Sequence, residues 1–87
     1  METKTIIDKI NEYLNENYTI MRISNILHQI TGDDLCDYDW EDNIFNNNNI
    51  ALNIRDTETW ILVEFDVIQI KEPALNSIVR ITEVSEM

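Results

Sequence analysis

The chain has 87 residues, 44% of them hydrophobic, and a formal net charge of −11 from 17 acidic against 6 basic side chains. That length suits one domain, residues 1–87, able to bury about 62–65% of its unfolded surface, and the composition excludes a disordered acidic tail. The charge excludes a binder of DNA, RNA or anionic lipid, because gripping phosphate needs Lys or Arg to displace counterions.

In chain order, the first thirty residues predict a helical hairpin. Thr5 followed by Asp8 resembles a capping box, and Ile6, Ile7, Ile10, Tyr13 and Leu14 recur at helical spacing. Asn15, Glu16 and Asn17 mark a break. Thr19 then offers an N-cap for a second helix with Ile20, Ile23, Ile26, Leu27 and Ile30 on its inner stripe, and Gly32, the only glycine, stands where a left-handed C-cap is wanted.

Residues 33–49 read as a connector ending in the loop Asn46 to Asn49. Beyond it the period becomes two. Ile50, Leu52 and Ile54 predict one strand, 56–59 a turn, and Ile61, Val63, Phe65 and Val67 a longer strand. The phase slips at Val67 and Ile68, as a β-bulge would make it. Pro73 ends that strand, and residues 78–84, rich in β-branched side chains, predict a third. The expected fold is α+β: an N-terminal helical hairpin followed by a three-stranded antiparallel β-sheet.

The connector carries the unusual chemistry. Asp33, Asp34, Asp37, Asp39, Glu41 and Asp42 place six carboxylates in ten positions, with Tyr38, Trp40 and Phe45 in or beside them, and no Lys or Arg occurs between Arg22 and Arg55. Acid interleaved with large aromatics suits a basic protein partner: the charge steers it and the rings anchor it. An acidic surface also keeps a small protein soluble. Tyr38, Trp40 and Phe45 either fold back into the gap between helices and sheet or stand exposed as anchors; the mixed arrangement, with Phe45 buried and Tyr38 or Trp40 exposed, is the one expected. Glu64 and Asp66, on the strand side opposite Val63 and Phe65, extend the negative surface if that face of the sheet is open, with Trp60 exposed beside them.

Other chemistries fit poorly. As an EF-hand loop starting at Asp37, the segment has Asp42 where a glycine is required and Asn48 where a glutamate is required. Cys36 is flanked by Asp34 and Asp37, which disfavours a thiolate, and His28 lies on the second helix as a surface residue. No phosphate loop, metal-ligand spacing or nucleophile elbow occurs, so neither an enzyme nor a cofactor is expected. A DNA-reading helix would show Arg22, Asn25 and Gln29, too little base for a chain of this charge. A single cysteine, no basic-then-apolar N-terminus and short apolar runs predict a cytoplasmic protein that does not enter a membrane.

On composition and the segment from Asp33 to Asp42, with Glu64 and Asp66 as extensions, the chain resembles the small acidic inhibitors made by phages and mobile elements, of the anti-CRISPR and anti-restriction type. The resemblance implies a non-catalytic monomer or dimer, working in the host cell cytoplasm if phage-encoded. It would bind a basic nucleic-acid-binding protein, a nuclease or CRISPR effector, without touching nucleic acid itself. The partner-binding residues would be Asp33, Asp34, Asp37, Tyr38, Asp39, Trp40, Glu41, Asp42, Glu64 and Asp66. An immunity protein or antitoxin against a basic nuclease, and a small phage or assembly subunit that oligomerises, stand as alternatives.

Overall fold

The computed structural model describes residues 3–33 and 41–87. Helix α1 (Thr3–Asn11) leads through a short turn to strand β1 (Asn17–Thr19), and helix α2 (Ile20–Thr31) follows at once. A six-residue π-helix (Glu41–Asn46) precedes strands β2 (Asn49–Asn53) and β3 (Trp60–Gln69); a single 3-10 turn (Ala74–Asn76) leads into β4 (Ile78–Glu86). The strands form one antiparallel sheet in the order β1-β4-β3-β2.

The class is α+β as expected, with two corrections. Among the described residues the sheet has four strands, because the end of the break at Asn17, with Tyr18 and the capping Thr19, forms β1, these three pairing with Arg80, Val79 and Ile78. The helices are therefore joined through a strand of the sheet and do not form a simple hairpin. Three residues are too few to show an alternation, and it is the free edge of β4 that makes them a strand. In addition, α1 begins at Thr3, so Thr5 lies inside the helix and caps nothing.

Two bounds also move: α1 ends at Asn11, so Tyr13 and Leu14 lie in the turn after it, and the loop read from Asn46 to Asn49 shrinks because Asn46 closes the π-helix and Asn49 opens β2. The caps of α2 and the slip in β3 are realised. Thr19 caps α2, its Oγ1 accepting a hydrogen bond from the Arg22 N–H at 3.1 Å. Gly32 closes the helix at φ 80°, its N–H donating to the His28 carbonyl at 2.7 Å. Among the described residues, the non-glycine positions with positive φ are Asn15, Asn48 and Asp56, types that tolerate the left-handed region, and all sit in turns or bends. The slip foreseen at Val67 and Ile68 is a register shift between Val67 and Gln69, and a second lies opposite Glu64 and Phe65, where Thr82 is the extra residue of β4.

Both helices cover one face of the sheet. Ile6 and Ile10 of α1 and Ile20, Ile23 and Leu27 of α2 meet Ile50, Leu52, Ile61, Val63, Phe65, Val79, Ile81 and Val84 in one core. Each such side chain contributes about 1.5–3 kcal/mol by leaving water. Tyr13 and Tyr18 close one margin edge to face, ring centroids 6.0 Å apart. Near the start of α2, the buried Ser77 ties the loop down. Its hydroxyl accepts from Lys71 N–H at 2.9 Å and donates to the Lys71 carbonyl at 3.3 Å, while its own carbonyl accepts the Ile20 N–H.

Candidate functional site

Alternation along β3 decides what the uncovered face of the sheet carries. Ile61, Val63 and Phe65 point into the core, so Trp60, Leu62, Glu64 and Asp66 occupy the opposite face. Trp60 is 45% exposed, Asp66 is exposed, and Leu62 and Glu64 are half-buried. Among the described residues both helices lie on the other face of the sheet, the arrangement on which the reading of Glu64 and Asp66 depends. In register across it, Ala51 stands beside Leu62 and Leu62 beside Ser85; Asn49 stands beside Glu64 and Glu64 beside Glu83; Asp66 faces Arg80.

Two of these pairs differ in kind. Asp66 faces a base, whereas Glu64 faces another acid. Hydrogen bonding to Glu83 is the main reason the Glu64 carboxyl titrates above its ordinary 4.5, with partial desolvation and the Glu83 charge adding to it. Among the described residues no ion pair links Glu64, Asp66 or Glu83 to a base. The Arg55–Asp56 ion pair, at 3.9 Å between exposed sequence neighbours, adds little.

Linkage fixes the sign of the consequence. A carboxyl raised by folding binds protons more tightly in the native state, so stability falls as pH climbs through the raised range and the pair is a burden at neutral pH. Glu64→Gln is expected to raise the melting temperature at pH 7, and the gain is expected to shrink as the pH is lowered toward 4.5. Thermal melts of parent and variant at the two pH values check this; a variant no more stable than the parent at pH 7 would contradict it.

Within the acidic segment, Asp33 is tied into the fold. Ile54 N–H bonds across the hairpin to the Thr59 carbonyl at 3.0 Å, so the N–H of Asn53, one residue earlier, points out at the sheet edge. Asp33 Oδ2 accepts it at 2.9 Å. The Asp33 N–H donates to Thr31 Oγ1 at 3.2 Å, and its carbonyl lies 2.6 Å from His28 Nδ1. Asp33 thus joins the end of α2 to the edge strand and occupies a donor otherwise open to strand pairing.

Asp34, Asp37, Tyr38, Asp39 and Trp40 lie outside the described residues, and Glu41 and Asp42 enter the π-helix by their backbones. Of the aromatics near the segment, Phe45 is half-buried against the core rather than buried as expected, and the side chain that fills this region is its neighbour Ile44, which is fully buried. His28 is exposed on α2, as read. Among the described residues no three His, Cys, Asp or Glu side chains come together as a metal site, and no helix is long and apolar enough to cross a membrane.

Sequence reasoning missed Glu83 as a member of the open face. A signal was present: the inward positions Val79, Ile81 and Val84 step by two and then by three, and a three-residue step in a strand implies a bulge that turns Glu83 outward. Compared with family models, curated proteins and solved structures, the chain matches none.

Proposed function

We propose that this chain is a non-catalytic acidic protein that binds a basic nucleic-acid-processing protein, a CRISPR effector or restriction nuclease, and inhibits it by occupying its nucleic-acid-binding surface. The observation that carries the reading is where the acid goes. With 17 carboxylates against 6 bases, and no ion pair among the described residues to Glu64, Asp66 or Glu83, the negative charge is available to a partner. Lys and Arg lining a nucleic-acid channel are already spaced for phosphates, so an array of carboxylates competes for them with fast, salt-sensitive association.

The test is a pull-down on the immobilised protein from a host lysate, washed at two salt concentrations, followed by an activity assay of whatever is recovered. The expected result is a basic nuclease that is released by high salt, competed by DNA and inhibited by the free protein. Recovery of the chain alone would favour an assembly subunit instead. The triple variant Asp37→Lys, Asp39→Lys, Glu41→Lys is expected to bind the recovered target more weakly and with a flatter salt dependence. Equal binding by that variant would remove the connector from the contact.

A further inference from the structure

We infer that the open face of the sheet is a docking surface for a basic protein segment, with an Arg or Lys of that segment entering between Glu64 and Glu83 while its apolar part packs on Trp60 and Leu62. This rests on the reading of the chain as a binder of a basic partner and assigns the place and the chemistry of the contact.

Three features of the face lead there. The first is the register. Glu64 and Glu83 are directly opposed on neighbouring antiparallel strands, an arrangement in which like charges destabilise a sheet. A cation between them would reverse that sign, because each carboxylate then meets an opposite charge at short range. Asp66, two residues along, stands opposite Arg80 in the register, so the row in which acid meets acid is Glu64–Glu83.

The second feature is the apolar flank. Along the outward side of β3, Trp60, Leu62 and Glu64 follow at steps of about 6.6–6.8 Å, so an exposed indole and a half-buried leucine lie within one side chain's reach of the carboxylates. Aromatic anchors beside charged groups are the composition of binding hot spots. The third is complementarity: the face carries Glu64, Glu83 and Asp66 on a chain of net charge −11, which repels phosphate and anionic lipid and leaves a cationic protein segment as its occupant.

The test is a titration of the isotope-labelled full chain with an octapeptide of alternating Arg and Leu near physiological salt, followed by amide and indole NMR shifts. Saturable shifts are expected at Leu62, Glu64, Glu83, Ser85 and the Trp60 indole. The double variant Glu64→Gln, Glu83→Gln is expected to bind about tenfold more weakly. Because removing the like-charge pair relieves the sheet, this variant should melt no lower than the parent, so its loss of binding is not loss of fold. Trp60→Ala, at an exposed position, should also weaken the complex. Shifts confined to residues 33–42, with the double variant binding as the parent does, would overturn the assignment while leaving the basic-partner reading intact. An absence of saturable binding anywhere would overturn both.

Discussion

Replacing Ile44 by alanine is expected to lower the unfolding free energy by about 2–5 kcal/mol, the range for deleting a fully buried branched aliphatic side chain. Ile44 has no exposed surface, and the π-helix that carries it packs on β2 and β3. The loss combines the transfer of the missing carbons with the cavity they leave. For 87 residues the whole stability is of order 4–13 kcal/mol, so this one change threatens folding near body temperature. Urea denaturation should show a lower midpoint at an unchanged slope. Phe45→Ala, at a half-buried site, should cost less. A cost below about 1 kcal/mol at Ile44 would mean that the π-helix contributes little to the core. The residue also fixes the point where the acidic segment rejoins the sheet, so the variant tests whether that anchorage matters for partner binding.

Gly32→Ala is expected to cost about 2–3 kcal/mol from two separate sources. At φ 80° an L side chain is strained by the following carbonyl, which accounts for roughly 1–2 kcal/mol. The added Cβ would also stand 2.7 Å from Arg55 Cβ and 2.9 Å from Arg55 Cδ. Arg55 Cβ cannot swing away as a side-chain end does, because it is fixed to a backbone whose N–H donates to the Thr31 carbonyl at 2.9 Å. Relief therefore requires the end of α2 to separate from the loop between β2 and β3. Adding Arg55→Ala to Gly32→Ala removes the Cδ contact and leaves the Cβ contact, so only part of the stability should return. Chemical denaturation of Gly32→Ala, of Arg55→Ala alone and of the double variant measures this; full recovery would place the conflict in the flexible part of the arginine.

Much of the candidate surface was legible before folding because it depends on alternation alone. Once Ile61, Val63 and Phe65 are assigned to a core, Glu64 and Asp66 must lie on the other face, and they do. The partner across the sheet was not legible. That Glu64 meets Glu83 while Asp66 meets Arg80 depends on the extra residue Thr82, which shifts the register of β4. Asp33 shows the same limit: among neighbouring acids nothing local distinguishes it, yet its carboxylate is bound to the N–H of Asn53, twenty residues away.

By itself, then, the sequence determined the helical stripes, the caps at Thr19 and Gly32, the strand alternation, the slip after Val67 and the charge of −11. Each of these is a property of one residue or of its near neighbours. The tertiary structure alone decided that residues 17–19 form a strand, that Ile44 rather than Phe45 fills the core beside β2, and which acid stands opposite which side chain. Those outcomes depend on backbone groups and cavities brought together from distant parts of the chain. A local pattern can say which way a side chain points, but only the assembled sheet determines what it meets there.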